Sequence, residues 1–87
     1  MIIDLDAKTR IRGTSDCWQL EFVRISNGKP EWRPRKFFAS LEQAVNAASA
    51  MEIRTSPAHG VVEAKAACER IAKKYEEILS GVHQLTP

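Results

Sequence analysis

Basic side chains are densest in residues 24–36, where Arg24, Lys29, Arg33, Arg35 and Lys36 stand against a single acid, Glu31, with Trp32 among them. A guanidinium can bond a phosphate or carboxylate through two N–H groups at once, and an exposed aromatic ring can stack on a base. The run therefore suits an anionic partner. Residues two apart on a strand share a side, so Arg33 and Arg35 take one face and Trp32 the other. Arg10 and Arg12 are placed to extend the basic face from an earlier strand. The candidate partner- or nucleic-acid-binding set is thus Arg10, Arg12, Arg24, Lys29, Trp32, Arg33, Arg35 and Lys36. The competing reading is a solvated face whose charges keep an edge strand from pairing with another chain, with Trp32 in the core.

Other chemistry is sparse. The four glycines are isolated, so no phosphate-cradling loop is formed, and no Gly-x-Ser-x-Gly elbow occurs. His59 falls in a connection and His83 in the tail. Cys17, His59, Cys68 and His83 could ligate a soft metal, yet none lies at a ligand spacing such as Cys-x-x-Cys. Asp4 and Asp6 could pair around a hard cation, but an acidic frayed end accounts for them better. These residues predict a protein without catalytic residues, metal or cofactor.

The elements that must position the basic run follow from the rest of the chain. Its 87 residues allow one domain, 1–87. Hydrophobic residues at 44% and charged residues at 28% are ordinary for a globular fold, and a net charge of +2 is mild. No stretch approaches the roughly 18 apolar residues of a membrane span. Met1-Ile2-Ile3-Asp4-Leu5-Asp6 lacks the character of a signal peptide. Two cysteines cannot build a disulfide framework, which predicts packed free thiols in a reducing, cytoplasmic compartment.

Residues 1–39 read as β and carry eight Lys/Arg against five Asp/Glu. Trp18, Leu20 and Phe22 alternate with Gln19 and Glu21 over Cys17–Ile25. Asn27-Gly28 predicts a tight hairpin turn, and residues 31–39 return as a partner strand. Pro34 cannot donate to a ladder, so that strand is at an edge or is broken there. An earlier strand is expected at 8–13, and residues 2–5 are apolar enough to join it. Residues 40–87 read as α. Ser40-Leu41-Glu42-Gln43 forms a capping box opening a first helix over 40–55. A second helix is expected over 57–81, with Pro57 at its first position and Gly81 as a left-handed cap, followed by a frayed tail at 82–87. Its seam runs through Val61, Ala64, Cys68, Ile71, Tyr75 and Ile78. The resulting class is α+β: a three-stranded antiparallel sheet followed by two helices, β-β-β-α-α. Its expected core is Trp18, Leu20, Phe22, Phe37, Leu41, Val45, Ala48, Met51, Ile71, Tyr75 and Ile78. The seam outruns a first helix of about fifteen residues at 1.5 Å rise per residue. This predicts a homodimer, with Ile71, Tyr75, Ile78 and Leu79 nearest the contact.

The segment W-Q-L-E-F-V-R-I-S-N-G-K-P-E-W-R-P-R-K-F-F-A-S-L-E-Q-A-V-N-A-A, followed by E-I-R-T-S and a final helix, resembles a family of small proteins of tailed temperate phages and prophages. That family has no assigned activity, so the resemblance implies a phage-accessory setting in the cytoplasm of a bacterial host. The pattern W-x-L-x-F, G-K and F-F-A-S-L-E-Q-A is also similar to the small AP2-like DNA-binding domains, which implies a sheet that meets DNA. The leading expectation is a non-enzymatic protein that binds and occludes a host or phage protein. The alternative is a nucleic-acid binder using the basic sheet face.

Overall fold

The computed structural model describes the backbone of residues 1–85 and the side chains of residues 1–81. The order is β1 (Ile2–Asp4), β2 (Thr9–Gly13), β3 (Trp18–Ser26), β4 (Lys29–Phe38), α1 (Leu41–Arg54) and α2 (Gly60–Leu85). The class is α+β as expected, but the antiparallel sheet has four strands, not three, in the order β1-β2-β3-β4. The added strand is residues 2–4, drawn in by the pairing of Ile3 with Ile11. The reversal between β1 and β2 closes tightly. Thr9 carbonyl accepts from the Leu5 and Asp6 amides, and Asp6 Oδ1 accepts from the Lys8 amide at 2.7 Å. The chain forms two compact units, Met1–Ala44 and Val45–Pro87, and the division falls inside α1.

In the first unit Leu5, Thr9, Ile11 and Leu20 are buried. Asn27 (φ 52°) and Gly28 (φ 76°) both occupy the left-handed region, as a two-residue turn matching the strand twist requires. β4 is an edge strand, and it protects itself: Pro30 and Pro34 lack donors, and a bulge lies opposite Leu20/Glu21. Leu20 pairs with Lys36 and Glu21 with Pro34, so Arg35 is the extra residue. Phe37 pairs with Gln19, which places it on the face opposite Leu20, and it is 61% exposed. It is therefore not a core residue, and Phe38, across from Trp18, takes the inner side instead. The Trp18 ring lies against Gly13, where an added Cβ would come within 2.9 Å of it. Glycine is needed there so that the indole can lie flat on the neighbouring strand.

α1 starts as the capping box predicts. Gln43 N donates to Ser40 Oγ at 3.2 Å, and Gln43 Oε1 reaches back to the Ala39 amide at 3.2 Å. Val45 and Ala48 are buried in the second unit, with Ala67, Ile71 and Tyr75 of α2. Lys74 Nζ bonds Glu52 at 2.9 Å between the two helices. α2 begins at Gly60, not Pro57, because Gly60 enters at φ 86°. Glu63 Oε2 accepts from the His59 amide, and Ser56 Oγ accepts from Ala58 instead of capping the helix. The helix continues through Gly81 to Leu85, so Gly81 is not its cap and residues 82–85 are not a tail. The His83 side chain and residues 86–87 lie outside the described residues.

The helix seam is shifted relative to expectation. Ala67, Ile71 and Tyr75 are buried, whereas Val61, Ala64 and Cys68 are exposed. Cys68 is thus a free surface thiol, not a packed one, and Cys17 is free and half-buried. Ile71 and Tyr75 are each 4% exposed and are used up inside the chain, so they cannot form the dimer contact expected of them. Ile78 and Leu79 are half-buried. Replacing Ser40 by Ala removes the side-chain acceptor for the first-turn amide and should cost about 1 kcal/mol. Urea denaturation checks this; an unchanged midpoint would show that the cap contributes nothing.

Candidate functional site

The structure splits the basic residues into two sets on opposite faces of the sheet. On one face Glu21, in the middle of β3, is 2% exposed. Arg10 of β2 pairs directly with Glu21, and its Nε donates to Glu21 Oε1 at 2.7 Å. The same guanidinium stacks on Trp32 of β4, 4.3 Å from the ring centroid. Arg12 approaches the other carboxylate oxygen at 4.0 Å. Three strands are thus tied by one acid, one guanidinium and one indole. A buried charge is tolerable only when it is paired and hydrogen-bonded, and Arg10 supplies both. Arg10, Arg12 and Trp32 belong to this clasp, and they do not extend the face that carries Arg33 and Arg35.

The other face holds the remaining candidates. Lys8 carbonyl accepts from the Val23 amide at 3.0 Å, and β2 reaches no further along β3. Beyond Val23, β3 and β4 continue as a two-stranded arm ending in the Asn27-Gly28 turn. Pairing places Phe22 beside Arg33, Arg24 beside Glu31 and Leu20 beside Lys36 on one side. Arg35, the extra residue of the bulge, lies on that side as well, with its guanidinium 5.3 Å from the Phe22 ring centroid. Arg33 and Arg35 therefore do share a face. Phe22, Val23, Arg24, Arg33 and Arg35 line a shallow hollow of about 300 Å³. Arg33 bonds Glu31 at 3.2 Å, with both side chains well exposed. Among the described residues Arg24, Lys29, Arg35 and Lys36 have no ion pair, and all four are exposed.

Two residues of these sites were not singled out in the sequence. Strand alternation sets Glu21 with Gln19, opposite Trp18, Leu20 and Phe22, and the one signal of its burial in the sequence is its position between the apolar residues Leu20 and Phe22. Phe22, expected in the core, is half-buried and lines the arginine hollow. No group of three or more His, Cys, Asp and Glu side chains suited to a metal occurs among the described residues. Among them, no helix is long and apolar enough to cross a membrane. No family model, curated protein or solved structure matches the chain.

The clasp makes a direct stability prediction. Glu21→Ala leaves Arg10, whose side chain is only 18% exposed, without its carboxylate. Stripping one partner from a fully buried pair costs about 3–5 kcal/mol, and the partial exposure of Arg10 lowers this to about 2–3 kcal/mol. Urea unfolding should show that loss; a change below about 0.5 kcal/mol would mean the pair is dispensable.

Proposed function

We propose that the protein is a non-catalytic nucleic-acid binder acting through the Phe22 face of its hairpin arm, in the phage-accessory setting its sequence resemblance implies. The observation that carries this reading is the arginine hollow. Arg24, Arg33 and Arg35 converge on one surface, Lys29 and Lys36 flank it on the same strand pair, and Glu31 is the one acid of the run. Leaving so many like charges together unneutralised gains nothing for folding, because exposed charges contribute little to stability. An anionic ligand converts the same arrangement into binding energy, since each phosphate neutralised releases a condensed counterion. Guanidinium groups suit the task because they bond phosphate oxygens through two donors.

The face favours phosphate contact over base stacking. Its aromatic ring, Phe22, is half-buried and lies under Arg35. Trp32 is on the opposite face, engaged by Arg10. Single-strand binders place free aromatic rings among their basic groups, whereas duplex contact needs only the charges. We therefore assign double-stranded nucleic acid as the ligand.

A protein partner is the second reading, favoured by the apolar residues of the other face. Ile2, Ile25 and Phe37 are all more than half exposed there, and an occluding protein would cover them.

The test is fluorescence anisotropy with a labelled duplex of about 20 base pairs across a salt series. Three or four phosphate contacts should give a slope near −3 in log affinity against log salt, about a 60-fold loss between 50 and 200 mM. Failure to bind at micromolar protein and about 50 mM salt would refute the proposal. Stoichiometric recovery of a protein from host lysate, together with that failure, would support the second reading.

A further inference from the structure

The helical unit carries an exposed face that the nucleic-acid reading does not use. Every residue from His59 to Ala66 is exposed, and Val61 and Val62 are 85% and 84% exposed. Burial of α2 within the chain begins only at Ala67. Two turns of helix therefore project past their own packing with two valines in water. Lys65 and Glu69 lie four residues apart on one flank of this segment, and neither forms an ion pair among the described residues. Cys68 is exposed beside them.

We infer that this half of α2 pairs with the same segment of a second copy of the chain, antiparallel, about a two-fold axis level with Ala67. Charge selects both the occupant and the direction. Residues equidistant from a two-fold axis on the same flank oppose each other, so Lys65 faces Glu69 of the second copy, and Glu69 faces Lys65 of the second copy. One unpaired cation and one unpaired anion thus become two intermolecular pairs, which only a self-complementary partner supplies without further residues. A parallel arrangement would carry Lys65 and Glu69 of the two copies to opposite sides of the seam, where neither meets the other's charge and both stay unpaired. The antiparallel arrangement also lays Val61 near Ala72 of the second copy, taking an exposed valine out of water. At 1.5 Å rise per residue, the two Cys68 positions are offset by about 3 Å along the helices. That is within reach of a disulfide once the helices pack closely. The contact differs from the one expected from the sequence, because Ile71 and Tyr75 are occupied inside the chain.

The experiment uses the full chain at about 100 μM, a concentration at which a dimer of micromolar affinity is nearly complete. Light scattering should give twice the chain mass. Lys65→Glu and Glu69→Lys should each halve it, since each single change sets like charges opposite one another. The double variant, Lys65→Glu with Glu69→Lys, should restore the dimer mass, because the swapped charges are again complementary. Circular dichroism melts accompany each variant and should be unchanged apart from the concentration dependence. In a Cys17→Ser background, mild oxidation should cross-link Cys68 to Cys68 at native conditions and fail to do so in Lys65→Glu. A wild-type monomer would overturn the proposal. So would single variants that stay dimeric, or a double variant that stays monomeric.

Discussion

The sheet depends on the burial of one carboxylate. Glu21 sits in the middle of β3 with almost no exposure, and it can stay there only because Arg10 lies across it from β2. Arg10 is in turn held flat by Trp32 of β4. Ion pair and cation–π contact together fix which residues of three successive strands stand side by side. A slip of one residue in β2 or β4 would carry Arg10 or Trp32 to the other face and leave the acid buried alone. The clasp therefore sets the register as well as adding stability. Its cost is the desolvation of a carboxylate, which a hydrophobic residue would avoid.

Register then determines what the sheet can do. With Arg10 and Arg12 gathered around Glu21, positive charge on that face is largely neutralised, and the face is left with Ile2, Ile25 and Phe37. The bulge at Arg35 has the opposite effect on the other face. Without it, the alternation running from Trp32 to Phe37 would stay in phase along β4. With it, Lys36 is brought to the face that carries Phe22, Arg33 and Arg35. One extra backbone residue thus concentrates charge where no acid of the clasp can reach. The same bulge and the two prolines blunt the edge of β4, so this long exposed strand presents side chains in place of backbone pairing groups.

Much of this was legible in the sequence. Asn27-Gly28 announces its hairpin because few other pairs accept two positive φ values, and both residues adopt them. Ser40 and Gln43 announce the helix start because the cap is a local hydrogen-bond pattern. The α+β class followed from the change in periodicity near residue 40. The misreadings have non-local causes. Residues 2–4 become a strand only because Ile3 finds Ile11, and a three-residue segment carries no periodicity of its own. Phe37 and Phe38 cannot be told apart until the bulge is known, because one inserted residue exchanges their faces. On α2, Cys68 and Ala67 are adjacent small residues, and only the packing partner decides which of them is buried. The basic run was visible as composition, but its division between two faces depended on Glu21, which looked like an ordinary surface acid.

Two single substitutions, one on each face, test that division directly. Arg12→Gln and Arg35→Gln each remove one positive charge from an exposed position, one on each face of the sheet. If binding uses the Phe22 face, Arg35→Gln should weaken affinity for a short duplex about tenfold and lower the salt slope by about one. Arg12→Gln should leave affinity within about twofold, the effect of net charge alone. Equal losses from the two substitutions, or a larger loss from Arg12→Gln, would contradict the assignment of the ligand to the arginine hollow.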